Sequence, residues 1–264
     1  MEQPPDLRSI QSMRPETARA LIEALTGLVK PKYPYPVTGG DVGKRRFRAY
    51  VAALIADSIS TIEGIAHLAE LEREADTHSL LRDLIEGVIT FAWLAIDPDP
   101  NIDAWLLSDK KERVKTDNAL QNFGEQVLEP AFRANLEKDI AAGGPPLPGV
   151  ADRARAADKY WTPRVARLER VVPGGRVFEL LYELMFRYTS SFTHSMPMAV
   201  NKLIEPVKDG AVVVLEGTTG PQRALAFAPS AFGVMLYVAS ETLGWPATHE
   251  IDEAFERVIA AIKA

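Results

Sequence analysis

The sequence contains no cysteine. Disulfides, zinc–thiolate sites, iron–sulfur clusters and a cysteine nucleophile are therefore excluded, and the chain suits a reducing compartment. Positive charge is not in excess. Thirty Lys and Arg stand against 36 Asp and Glu, a formal net charge of -6. The molecule as a whole is thus no polycation that coats nucleic acid, and a nucleic-acid site would have to be a local patch. Long apolar runs are scarce. The stretch from Leu84 to Ile96 is interrupted by Glu86 and falls short of the ~20 apolar residues that cross a bilayer. The opening residues hold no apolar core of a secretory signal. These absences predict a cytoplasmic protein with no membrane segment.

What is present is an ordinary globular composition: 264 residues, 47% hydrophobic and 25% charged, enough to bury one sizeable core. Pro15 opens a helix in which Ala18, Leu21, Ile22, Leu25 and Val29 recur at helical spacing. Prolines and glycines then forbid regular structure from about 31 to 43. Val51, Ile55, Ile59 and Ile62 mark a long helix over 44–75. The helix His78 to Ile96 is apolar nearly all round and is expected at the centre. Two charged helices follow over 102–141, then a Gly/Pro loop at 143–149, and helices over 151–172 and 176–194. Ala211–Leu215 and Arg223–Phe227 flank Gly217-Thr-Thr-Gly220-Pro221 and predict a β-hairpin. The expected fold is mainly α, a bundle of about eight or nine helices with one inserted hairpin over about 211–228. Residues 1–43 form an N-terminal helix and a Pro/Gly-rich arm, and 44–264 a single helical domain that includes the hairpin.

No Gly-rich phosphate loop joins a strand to a helix, and no G-x-S-x-G elbow is present. The histidines are His67, His78, His194 and His249. None falls in a metal-ligand pattern, so neither a metal nor a cofactor is expected. Two features stand out. Arg82 and Glu86 lie four residues apart on the most apolar helix, where an unpaired charge is costly. They read either as a structural ion pair or as a polar site. In the segment Phe186 to Ser195, Arg187 and His194 are seven apart, close to two helical turns, with Ser190 and Ser191 between them. An arginine, hydroxyls and a histidine on one face suit a phosphate: the guanidinium grips it and the imidazole moves a proton. Basic clusters at Lys44–Arg48, Lys110–Lys115 and 153–170 leave room for a local RNA footprint. The first opens a helix, where cations oppose the macrodipole and call for an acidic group or an external anion.

The helix Leu80-Leu81-Arg82-Asp83-Leu84-Ile85-Glu86 and the later Tyr188-x-x-Ser191-x-x-His194-Ser195 together resemble an uncharacterised bacterial all-helical family of unknown function, which shows an R-x-x-x-E helix and a Y-x-x-S-x-x-H segment. Arg187 and His194, enclosing six residues, also resemble the motif of the HEPN superfamily, although Tyr188 stands where that motif often has a polar residue. The second resemblance implies a metal-independent ribonuclease or RNA-binding effector of bacterial defence or toxin–antitoxin systems, and a homodimer. Arg187 would bind the scissile phosphate and His194 would handle a proton. The polar centre would comprise Arg82, Glu86, Arg187, Tyr188, Ser191 and His194. The alternatives are a non-enzymatic protein that binds a partner protein, with Arg82, Glu86 and His194 as a structural network, and an anion or nucleotide sensor.

Overall fold

The computed structural model describes residues 13–33, 42–165, 168, 172, 175–186, 189, 204–206, 212–214, 220–244, 249–254 and 256. Helix α1 is Pro15–Val29, ending in a tight 3₁₀ turn at Lys30–Lys32. Helix α2 is Val42–Glu70, α3 is Glu74–Leu94 and α4 is Pro98–Gln121. Helix α5 is Pro130–Ala141 and α6 is Val150–Trp161. Helix α7 is Val177–Leu180 and runs on into a π-helical turn, Leu181–Phe186. Helix α8 is Pro221–Leu243. Proline opens α1, α4, α5 and α8, at the position where its missing N–H goes unused and its fixed φ favours the helix.

Helix α3 is the axis. Helices α2, α6 and α8 and the π turn all pack on it, because its apolar side chains point in every direction. Leu81, Leu84, Ile85, Val88, Ile89 and Phe91 are all almost wholly enclosed. Each such side chain contributes about 1.5–3 kcal/mol by leaving water. Helix α8 is the second core element and carries Phe232, one of the largest fully buried side chains; α1 covers its other side. By length and composition both α2 and α8 could cross a membrane. For α8, 83% of the apolar window is buried inside the bundle, so its composition serves the core.

The hairpin expected over 211–228 does not form. Its intended second strand, Arg223 to Phe227, lies in the first turns of α8. Extended pairing among the described residues is three residues long and joins Ile204–Pro206 to Val212–Val214, upstream of that turn. The reason is local. Arginine, alanine and leucine are strong helix formers, and Pro221 sets the first helical φ. Pro229 sits inside α8, where it removes one backbone bond without ending the helix. The mainly helical class holds.

The turn from α6 to α7 depends on Gly175, whose φ is +67°. Its carbonyl accepts the Thr162 hydroxyl, and a Cβ there would meet Thr162 Cγ2 at 2.1 Å. Gly175→Ala should therefore destabilise the fold by roughly 1–3 kcal/mol. Gly27, inside α1 with nothing within 4 Å of a Cβ, offers the opposite case. Gly27→Ala should stabilise by about 0.5–1 kcal/mol. Urea denaturation of the two variants checks both signs.

Candidate functional site

One set of polar groups lies where α3 faces α6 and the π turn. Arg82 and Glu86 lie one helical turn apart on α3, with Arg82 Nη2 4.0 Å from Glu86 Oε2. Neither is sealed in: their side chains are 23% and 38% exposed. Glu86 is approached more closely by Arg153 of α6, at 3.3 Å. The Arg153 side chain is only 4% exposed, and its Nη1 donates to Thr90 Oγ1 at 2.5 Å. Its Nε is buried without a hydrogen-bond partner among the described residues. Burial pulls Arg153 below the ordinary guanidinium range, against the opposing pull of Glu86. About two turns further along α6, Trp161 Nε1 donates to the Ala92 carbonyl of α3 at 2.8 Å.

Helix α6 also holds α7. Asp158, 6% exposed, accepts the backbone N–H of Phe178 at 2.9 Å and of Glu179 at 2.8 Å. It caps a helix from outside, satisfying donors that α7 leaves open. Burial pushes its carboxyl up to about 6, against the lowering effect of those two N–H donors. The capped segment continues through the π turn, a geometry that recurs at functional sites. There the Phe186 ring lies beneath the Arg82 guanidinium, 4.5 Å from centroid to Cζ, and Tyr182 stacks on Phe186.

Of the six residues expected to form the polar centre, Arg82 and Glu86 are together at this edge. Arg187, Tyr188, Ser191 and His194 lie outside the described residues. The described chain reaches Phe186 against Arg82 and includes Thr189, buried with its hydroxyl donating to the Phe186 carbonyl at 3.2 Å. Part of the basic clusters is paired surface charge: Arg46 with Asp103, Lys110 with Asp139, Arg113 with Asp109, and Arg155 with Asp152. The sequence singled out Arg153 only as one of a basic group, and it did not single out Thr90 or mark Asp158 as a site residue. A signal for Arg153 existed. Ala154, Ala157 and Trp161 share its side of α6, and small neighbours let a long cation lie inward.

Chemically, the edge offers two guanidinium groups, one half-exposed carboxylate and an aromatic face. Asp83, 3.8 Å from Arg82 and largely exposed, brings the local charge to neutrality. Among the described residues no group of three or more His, Asp or Glu could hold a metal ion.

A family model described as a family of unknown function, DUF5677, matches residues 48–211. That is more than half of the chain, and the chain belongs to this family. No curated protein and no solved structure matches it.

Removing Glu86 strands the buried Arg153 charge, whereas Arg153→Met removes charge and polar demand together. Because Glu86 is partly solvated, Glu86→Ala should cost about 1–3 kcal/mol rather than the full penalty of a sealed pair, and Arg153→Met less. Chemical denaturation gives the order. Asp158 predicts a pH effect. Its folded carboxyl titrates near 6 against an ordinary 3.8, so the native state binds the extra proton between those values. Its contribution to stability is greatest below about pH 4 and is lost as pH rises through 6. The total change is about 3 kcal/mol. Native protein should therefore gain on Asp158→Asn as pH falls from 6 to 4, as read by denaturation at each pH.

Proposed function

We propose that this member of the DUF5677 family is an RNA-directed effector that cleaves or binds RNA without a metal ion, at a centre formed by Arg82 and Glu86 together with Arg187 and His194. The observation that carries the reading is the stacking of Arg82 on Phe186, the residue immediately before Arg187, at a solvent-reached edge of the core. A sealed Arg82–Glu86 pair would have argued for packing alone; this pair keeps 23% and 38% of its side chains in contact with water.

The roles follow from the residue types. Arg187 grips the non-bridging oxygens of a phosphodiester, and Arg82 supplies a second cation in reach of the backbone. His194 takes the proton of the 2′-hydroxyl as that oxygen attacks phosphorus, or gives one to the departing 5′-oxygen. Phosphorus keeps its valence: the bond to the 2′-oxygen forms as the bond to the 5′-oxygen breaks, leaving a 2′,3′-cyclic phosphate. The Glu86 carboxylate orients Arg82, while Arg153 holds Glu86 from the α6 side. Tyr188 and Ser191 offer hydroxyl donors in the same segment.

The second reading, a non-enzymatic scaffold that binds a partner protein, has its own support in Arg153. A guanidinium this deeply buried, tied to Thr90 and Glu86, is what a purely structural network would need. Incubation of the protein with single-stranded RNA in EDTA separates the two. The effector reading expects cyclic-phosphate ends, loss of cleavage by about a hundredfold or more in His194→Ala, and a melting temperature close to native. If the native protein leaves RNA intact and does not bind it, while His194→Ala loses much of its stability, the scaffold reading stands instead.

A further inference from the structure

Two exposed surfaces play no part in the centre described above. The first is the tip of the α4–α5 hairpin. Helix α5 packs chiefly on α4, so the turn between them stands off the bundle. Phe123 is 83% exposed, Val127 64% and Phe132 46%. The turn is nonetheless well fixed. Asp117, 1% exposed, accepts the N–H of Val127 and of Leu128 at 3.0 Å each, Gln121 Nε2 at 2.8 Å and Arg133 Nη1 at 2.6 Å. Aromatic side chains on a rigid turn lose little freedom when covered, which is what an interface anchor requires. Glu125 and Glu129 rim them, exposed, and pair with no cation among the described residues.

The second surface is the start of α2. Val42 is 71% exposed, and Lys44, Arg45, Arg46 and Arg48 crowd the first turns. Part of this misplaced charge is answered within the chain. The Asp99 carboxylate lies against Gly43, within 2.8 Å of where a Cβ would stand, and Arg46 bonds Asp103 at 2.6 Å. Arg45 and Arg48 pair with no carboxylate among the described residues, and cations at a helix N-terminus oppose its dipole.

Asp99 and Asp103 belong to the first turns of α4. The basic, apolar end of α2 is thus seated at the start of α4, and the acidic, aromatic tip stands at its end. Helix α4 has 24 residues, about 36 Å at the helical rise. Opposite charges rimming apolar groups at the two ends of one rod are matched when two copies lie antiparallel. Tip against tip would set Glu125 and Glu129 against themselves, which like-charge repulsion opposes.

We propose that the protein forms a two-fold dimer in which the α4–α5 tip of each copy, Phe123 and Val127 rimmed by Glu125 and Glu129, docks on Val42, Arg45 and Arg48 of the other. The contact is isologous, since each tip meets the partner's α2 start and the reverse holds by symmetry. It goes beyond the RNA reading and does not rest on it.

The test is the mass in solution, by light scattering at rising protein concentration. Four samples are compared: the native chain, Glu125→Lys with Glu129→Lys, Arg45→Glu with Arg48→Glu, and an equal mixture of the two reversed variants. The native chain should dimerise. Each reversed variant alone should dimerise about tenfold or more weakly. The mixture should recover the dimer, because every facing pair is again opposite in sign. Phe123→Ser should weaken the dimer without reversing any charge, and native-like melting of each variant shows that the fold is intact. The proposal is overturned by a native monomer at the highest attainable concentration, by a dimer indifferent to both reversals, by a mixture that stays monomeric, or by open-ended growth into larger assemblies.

Discussion

Helix α6 determines how α3 sits against α7 and the π turn, and it does so with two buried charges. Arg153 and Asp158 are five residues apart, about 140° around the helix, so they face different neighbours. Arg153 reaches α3 through Thr90 and Glu86, and Asp158 reaches α7 through the N–H of Phe178 and Glu179. Trp161 adds a third bond, to the Ala92 carbonyl. An apolar interface alone would let α6 slide or roll against α3, because dispersion and burial carry little directional preference. Buried hydrogen bonds penalise such slippage, since a displaced carboxylate or guanidinium loses its partners and keeps its desolvation cost. The π turn that brings Phe186 to Arg82 thus inherits its position from a cap placed by another helix.

This arrangement connects stability to the candidate centre. Burial raises the Asp158 carboxyl to about 6 and pulls the Arg153 guanidinium down. Both charges carry a desolvation cost that their hydrogen bonds must offset. Such an arrangement makes sense where geometry matters more than depth of the energy well, as it does beside a centre that must hold several polar groups in register.

Much of the fold was legible because it obeys one period. The α1 stripe Leu21, Ile22, Leu25 and Val29 and the central burial of the helix around Leu84 to Leu94 follow from apolar spacing, and each is found. Proline at a first helical position marked α1. The hairpin was misjudged for a reason of the same kind. Five residues with alternating apolar character are too few to separate a strand from the opening of a buried helix. The centre was legible only in part. Arg82 and Glu86 betrayed themselves as charges on an apolar helix. Arg153 and Asp158 did not stand out in the same way, because they lie among other charges on α6, and only the short stripe of Ala154, Ala157 and Trp161 marks its buried face.

The depth of the individual groups carries the last step. A wholly structural network would be expected to sink all its members, since a solvated ion pair adds little to stability. Here the gradient is steep: Arg153 is enclosed, Arg82 is partly open, and Glu86 is more open still. The enclosed member has no route to a ligand, and its Thr90 and Glu86 bonds fix orientation. The open members share an edge with Phe186, beyond which the sequence places Arg187. A foundation of buried bonds beneath a solvated rim is the layout that pre-organised polar centres adopt, with supporting groups locked by packing and presenting groups left accessible. The layout gives an arginine and a glutamate a place on the central helix of the bundle that packing by itself does not explain.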